Sequence, residues 1–324
     1  MPSSVALIHN SRSRLNIHDG GAFAREARAL FGDNFIEPKG QSELAAAMVE
    51  LARREVQLIV INGGDGTVSN VLSALLVCWP QDRLPALAVI PSGNTNLIAS
   101  DVGCPTRGLP ALALLREKVR TGTLMDDVRW RHPVVVSWSD PKRRPVAGMF
   151  GGMAAFTRGI EIAHAPAILD RYSHDTAVLM TIFYGLRQFL RAEVRQKWMA
   201  GTPMTLTVDG QISDIRSRFL FLVTGLHRLS RGVWPFWLDT PARGSVIYLD
   251  IAGNPPGLAR GLLSVLRGRI SQRLRRSAAY HSGMAAEIMI ETHDRLVMDG
   301  EELAPGEDGR VWLREGPRLA FIQC

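Results

Sequence analysis

The sequence predicts an α/β fold: an N-terminal doubly wound, mainly parallel sheet followed by a strand-rich C-terminal unit. Two observations carry this expectation. Over the first 127 residues, short apolar, β-branched runs alternate with longer segments of helical period, the pattern of a parallel sheet with crossover helices. After Asp126-Asp127 the texture changes to strand-like runs separated by turns, interrupted by helical stretches near 175–198 and 257–276. No internal repeat or low-complexity tract stands out.

Taken in order, Val5–Ile8 reads as a strand and Gly21–Phe31 as a helix rich in Ala and Arg. Ser42–Arg54 reads as a second helix with Ser42 at its N-cap, and Leu58–Ile61 as a buried strand. That strand breaks at Gly63-Gly64-Asp65-Gly66-Thr67, and a helix carrying Val68, Val71, Leu72 and Leu75 follows. Leu87–Ile90 is another strand, ended by the polar turn Pro91-Ser92-Gly93-Asn94 and a helix-like segment. Beyond residue 127, Val134–Val136 and the turn Ser139–Pro145 suggest a hairpin. Met204–Val208, Phe219–Thr224, Ser245–Ile251 and Glu287–Thr292 also read as strands.

The turn at 63–67 is the most informative segment. Glycines there let backbone N–H groups approach a ligand closely, and the following helix N-terminus adds partial positive charge, which together suit polyphosphate. Asp65 can hold a divalent cation through water, and Thr67 can cap the helix or bond a phosphate oxygen. A tight strand-to-helix turn with Asp65 or Thr67 as its cap is the other reading. The segment is neither a dinucleotide fingerprint nor a Walker A loop, because no Lys follows the glycines.

Composition narrows the classes. The net charge of +7 and a pI near 9.8 favour anionic partners such as nucleotides or anionic lipid head groups. No helix-turn-helix, zinc-finger or RNA-binding aromatic motif accompanies the charge, so nucleic acid is not expected. Three widely spaced cysteines argue against a disulfide framework or zinc ribbon and for a reducing cytoplasm. The longest apolar stretch, Ala177–Leu186, is too short to span a bilayer, so membrane contact is expected to be peripheral. The eight histidines form no metal-ligand pattern; His164 and His174, near Glu161 and Asp175, read as solvated or core-edge groups. No Gly-x-Ser-x-Gly elbow is present.

Three segments together resemble the diacylglycerol kinase catalytic-domain family, the lipid kinases that include sphingosine and ceramide kinases. They are Gly63–Thr67 with the following Val68–Leu72, Pro91–Ala99, and Met298-Asp299-Gly300-Glu301. The first is shared with NAD kinases and phosphofructokinases. The resemblance implies a nucleotide-binding α/β domain over 1–127, joined by the returning stretch 304–324. It also implies a β-sandwich lipid-substrate domain over 128–303, with the active site in the cleft between the two. It implies ATP, Mg²⁺ and transfer of the γ-phosphoryl group to a lipid hydroxyl, with diacylglycerol as default acceptor and a ceramide or sphingoid lipid second. On this basis Glu301 matches the general base, and Asp65 and Asp299 act near metal and phosphates. Asn10, Ser13, Gly63, Gly64, Asp65, Gly66, Thr67, Gly93 and Asn96 would bind nucleotide. If the segment 299–301 is extended, Asp299 and Glu301 share one side; a charged hairpin turn is the alternative.

The chain departs from the family pattern at four places. Thr95 replaces a glycine. The first loop reads Asn10-Ser11-Arg12-Ser13-Arg14, without the family's proline and final glycine, so Arg12 and Arg14 either contact phosphates or form a solvated turn. Arg243 stands where an acidic residue is usual, with Asp239 four residues upstream. A catalytically impaired nucleotide- or lipid-binding homologue and an NAD-kinase-like small-molecule kinase are therefore the alternatives. Two segments suit an anionic membrane surface: the Arg-rich amphipathic stretch Leu258–Arg276 and the aromatic cluster Trp234-Pro235-Phe236-Trp237. Each has a bland counterpart, a surface helix and a packed loop. A homodimer is compatible with everything above.

Overall fold

The computed structural model describes residues 4–163, 196, 198–229, 233–237, 244, 246–258, 261, 264 and 271–324. Among these, six strands form a first sheet in the spatial order β2 (Phe35–Ile36), β1 (Val5–His9), β3 (Leu58–Gly63), β4 (Ala86–Pro91), β18 (Leu319–Ile322), β5 (Val128–Arg131). Pairing is parallel from β2 through β18, and β5 closes the edge antiparallel. Every residue of β1 and β3 is buried, as expected for strands covered on both faces.

Alternation assigns the two faces. Ala6, Ile8, Ile59, Ile61, Leu87 and Val89 pack against helices α3 (Gln41–Arg53), α4 (Asp65–Cys78) and α5 (Leu97–Val102). Val5, Leu7, Leu58, Val60, Ala88 and Ile90 pack against α2 (Ala22–Phe31) and α6 (Gly108–Thr121) on the other side. The helix α3 begins one residue earlier than expected. Gly40 is its N-cap, Ser42 lies in the first turn, and the Glu43 carboxylate reaches back to the Lys39 amide at 2.8 Å.

The second unit is antiparallel. One layer holds β6 (Val134–Ser137), β7 (Val146–Gly148), β9 (Thr202–Val208), β10 (Gln211–Ile212), β14 (Glu287–Thr292) and β17 (Arg310–Glu315). The other holds β8 (Phe150–Ala154), β11 (Ser217–Thr224), β12 (Val246–Ala252), β13 (Tyr280–Ala285), β15 (Leu296–Met298) and β16 (Glu301–Leu303). The layers join where β9 pairs with β11 at residues 202–203. Val134, Leu206, Ile288 and Leu313 from the first layer meet Met153, Phe221, Val223 and Leu296 from the second in one core. Arg218 and Asp250 form a buried ion pair at 3.1 Å within the second layer, and Arg218 also donates to the Met204 and Ile215 carbonyls.

Strand pairing moves the expected unit boundaries. The strand β5 lies beyond residue 127 yet belongs to the first sheet, and β17 lies within 304–324 yet pairs in the second unit. Only β18 of that last stretch returns to the first sheet. Its return brings Cys324 to Cys104, just past α5, where the two form a disulfide with Cα atoms 4.8 Å apart. This corrects the expectation against disulfide bonding and removes its argument for a reducing compartment. A separation of 220 residues leaves no spacing signal in the sequence. Cys78 is free.

Apolar packing and side-chain hydrogen bonds hold the units together. The Ser69 hydroxyl in α4 donates to the Ala147 carbonyl at 2.7 Å, and the Ala147 amide donates to the Ser73 hydroxyl at 2.9 Å, fastening α4 to β7. Buried Asp101 in α5 takes the Arg131 guanidinium as a fork, both bonds 2.8 Å, and the His227 amide at 2.9 Å. Burial pushes the Asp101 carboxyl up, but the Arg131 hydrogen bonds, the His227 amide and the Arg131 charge outweigh it and hold the carboxyl below its ordinary range. The aromatic cluster is a packed loop at Phe236 and Trp237, which join the core. Asp239, Arg243, His164, His174 and Ala177–Leu186 lie outside the described residues, as does most of Leu258–Arg276. Among the described residues no helix is long and apolar enough to cross a membrane.

Replacing Arg131 by Met leaves Asp101 buried without its fork, and is expected to lower unfolding free energy by about 3 kcal/mol in urea titrations at pH 7. A depressed carboxylate contributes stability above its unfolded pKa and loses it as pH falls through the folded one. The deficit of Arg131→Met therefore shrinks as pH drops below the ordinary value of 3.8.

Candidate functional site

In an open sheet of order 2-1-3-4 the strand order reverses between the first and third strands, and ligands bind beyond the carboxyl ends there. At that edge β1 ends in the loop Asn10–Ser13, β3 in Gly64, and β4 in Ser92–Asn96. These loops touch through backbone. A Cβ on Gly93 would sit 2.5 Å from the Gly64 Cα, and one on Gly64 would sit 3.0 Å from the Gly93 Cα. Only glycine at both positions permits this approach. Gly64 is the N-cap of α4, so the helix's first N–H groups open onto the same point.

The side chains named from sequence are largely committed to building these loops. Asn10 donates from Nδ2 to the Thr67 hydroxyl at 2.8 Å and accepts the Arg12 amide on Oδ1. Ser13, buried, is the N-cap residue of α1 (Arg14–His18), and its amide donates to the Asn10 carbonyl. Asn96, with φ of 48°, closes its amide onto Gly93: Oδ1 accepts the Gly93 N–H at 2.9 Å and Nδ2 donates to its carbonyl at 2.7 Å. The Asp65 carboxylate accepts the Leu97 and Ile98 amides at 2.9 and 2.8 Å and so caps α5 from the first turn of α4. Burial raises its pKa, and the two amide bonds oppose that shift. Arg12 donates to the Lys39 carbonyl at 2.9 Å, the solvated-turn alternative, at the rim of a cavity of about 560 Å³. Ser11, Arg28, Phe35 and Glu37 line it as well.

The segment 299–301 is a tight hairpin between β15 and β16, with Met298 paired to Glu301. Asp299 and Gly300 have φ of 48° and 91°, as a type I′ turn requires. This corrects the extended alternative, so strand alternation does not put the two carboxylates on one side. Asp299 instead turns back to accept the Met149 and Phe150 amides at 2.7 and 3.0 Å. Desolvation, with the Asp65 charge adding to it, pushes its pKa up to about 7 against the pull of those two amides. Glu301 is exposed. A Cβ on Gly66 would lie 4.0 Å from both Glu301 Oε1 and the Asp299 carbonyl oxygen. The hairpin thus delivers Glu301 to the first turn of α4. Beside it, the rings of Phe150 and Phe156 meet edge to face with centroids 5.5 Å apart.

Among the described residues no group of three or more His, Cys, Asp or Glu side chains is arranged to hold a metal. Asp65 and Asp299 each accept two backbone amides and keep further lone pairs. That donor set is too small for an all-protein cage. It fits a Mg²⁺ ion that keeps its waters and is bound chiefly through phosphates.

Residues 5–126 match the sequence family described as the diacylglycerol kinase catalytic domain. The match covers β1 through α6, which supply the strand-end loops of the first sheet described above. The probable lipid kinase YegS of Escherichia coli (strain 536) and that of Shigella flexneri are each 44% identical over 106 residues, 32% of this chain. The alignment spans about a third (34%) of the length of these curated relatives. A diacylglycerol kinase structure from Bacillus anthracis strain Sterne superposes with a TM-score of 0.60 at 17% identity, covering 98% of this chain and 95% of that one. A further structure from the same strain gives 0.63 at 19% identity, covering 98% and 96%. At such identities the likeness is one of fold, and it extends over both units.

The first unit also rests on residues the sequence reading did not single out: Asn16, Asn62 and Asp101. Each is polar and buried, a combination that one sequence without its fold does not reveal.

The raised pKa of Asp299 fixes a sign. Between pH 4 and 7 the folded chain keeps a proton that the unfolded chain has released, so this group's stabilisation is full below pH 4 and is lost as pH rises through 7. Asn tolerates the left-handed backbone at 299 and does not titrate. The stability of wild type minus that of Asp299→Asn is expected to fall over that window by at most ~4 kcal/mol, read from urea midpoints at pH 4, 5.5 and 7.

Proposed function

We propose that the protein is an ATP-dependent lipid kinase that transfers the γ-phosphoryl group to a lipid hydroxyl, with diacylglycerol the first candidate acceptor and a ceramide or sphingoid lipid the second. The observation that carries this reading is the meeting of three distant segments at the N-terminus of α4. Gly64 touches Gly93, and Glu301 reaches Gly66. Phosphoryl transfer asks a protein mainly to position the reactants, neutralise charge and accept one proton. The amides at Gly63–Thr67 and Gly93, with the α4 dipole, receive the phosphates. Glu301, exposed beside them, takes the proton of the acceptor hydroxyl. Asp65 and Asp299 would hold Mg²⁺, which when bound neutralises phosphate charge. The Phe150–Phe156 pair next to the hairpin offers an apolar wall suited to an acyl or sphingoid chain. The names of the relatives, lipid kinases and diacylglycerol kinases, support the same class, and the basic net charge suits work at an anionic membrane surface.

The test is ATP-dependent phosphate transfer to mixed micelles of diacylglycerol, ceramide and sphingoid bases. Wild type should phosphorylate one lipid class. Glu301→Gln should lose about 100-fold or more in kcat while its Kd for ATP stays within twofold. Wild type that binds ATP but phosphorylates none of these lipids would refute the lipid-kinase reading in favour of a small-molecule or non-catalytic role.

A further inference from the structure

A buried polar cluster lies directly beneath the phosphate-facing loops. Its centre is Asn16 in α1, 8% exposed. The Asn16 amide nitrogen lies 2.7 Å from the Asn10 carbonyl oxygen, 2.6 Å from Asn62 Oδ1 and 3.2 Å from the Ser92 hydroxyl. These acceptors come from three separate strand ends: Asn10 follows β1, Asn62 lies near the end of β3, and Ser92 follows β4. One side-chain amide therefore ties together the three strand ends of the first sheet that border the site. The backbone adds parallel ties, from the Asn10 amide to the Asn62 carbonyl, from the Leu15 amide to the Ser92 carbonyl, and from the Ser92 amide to the Gly63 carbonyl. Asn62 Oδ1 takes a second bond from His9 Nδ1 at 2.9 Å, so His9 carries its proton on that nitrogen. The carbonyl that Asn16 holds belongs to Asn10, whose own side chain grips Thr67 in the first turn of α4.

We propose that Asn16 is a positioning residue for phosphoryl transfer, fixing the register of the Asn10, Gly64 and Gly93 loops from below so that their backbone amides face one phosphate chain. This role rests on the nucleotide site proposed above. Asn16 does not face that site; it acts through Asn10, Asn62 and Ser92. Its chemistry is specific, because three oxygens converge on a group that only donates. An isosteric Asp places a carboxylate oxygen against those acceptors, and buried acceptors left without a donor cost free energy. Protonating the introduced carboxyl supplies one O–H donor and restores part of the tie. The titratable group within the cluster is His9, whose pKa burial lowers, with Glu37, Asp19 and Arg28 acting on it through their charges. Wild type measured at the same pH values accounts for that titration.

The experiment is titration of wild type, Asn16→Asp and Asn16→Ala with a fluorescent ATP analogue at pH 5.5 and 8. Lipid KM is measured alongside at pH 8, and near-UV circular dichroism checks the fold of each variant. At pH 8 the Kd for nucleotide should rise at least tenfold in both variants, with lipid KM within twofold of wild type. At pH 5.5 Asn16→Asp should recover most of its affinity relative to wild type, while Asn16→Ala does not. Folded variants that bind nucleotide within twofold of wild type at pH 8 would overturn the role of Asn16 and leave the nucleotide site standing. An equal rise in lipid KM, or no recovery of Asn16→Asp at low pH, would also overturn it by marking a general structural loss. A wild type that binds no nucleotide would refute the site itself, and the role assigned to Asn16 with it.

Discussion

The contact between Gly64 and Gly93 is the constraint on which the rest of the site depends. Adjacent parallel strands bring the loops after β3 and β4 side by side, but any side chain at either glycine would force them apart. Once the two backbones touch, the other features follow from the chain's geometry. Gly64 caps α4, so that helix starts at the contact. Asn96 closes onto Gly93 and starts α5, whose exposed amides are then capped by Asp65 from the first turn of α4. The two helices are thus cross-linked at their N-termini, and their positive ends face the same space. A cradle of this kind binds anions through backbone rather than through a lysine, which explains why the loop lacks one.

The second unit completes the site. Its hairpin at Asp299-Gly300 carries no long loop, so Glu301 cannot be placed without placing the whole sheet. The Asp299 carboxylate locks that hairpin to the start of β8, and Ser69 and Ser73 lock β7 to α4. Asp101 and Arg131 brace the opposite end of α5. The cost is a desolvated carboxyl group held near a second one, and its raised pKa reflects that cost. A site shared between two units in this way is rigid where phosphates would lie and open where Glu301 meets solvent.

Much of the fold was legible in the sequence because its signals are local. The alternating runs at 5–8, 58–61 and 87–90 each correspond to a buried parallel strand, and the breaks after them are the loops of the site. The three motif segments were legible for the same reason. What escaped was anything set by contact between distant residues. Asn16 reads as an ordinary polar residue of a short helix until three strand ends converge on it. Cys104 and Cys324 have no spacing relation until β18 returns to the first sheet. Asp65, Asn10 and Asn96 read from sequence as ligands, and the structure adds that their hydrogen bonds also build the loops. The segment 299–301 was ambiguous for a physical reason, since Asp-Gly serves both a turn and an extended acidic pair, and the positive φ at both residues decides for the turn.

The central claim is that backbone amides at two adjacent strand ends form one phosphate cradle. Amide hydrogen exchange with and without a non-hydrolysable ATP analogue tests it most directly. Strong slowing in peptides covering both 63–68 and 92–97, with the second unit changing little outside the 149–150 and 299–301 contacts, is the predicted result. Unchanged exchange in those two peptides at saturating nucleotide, with protection appearing elsewhere, would contradict it.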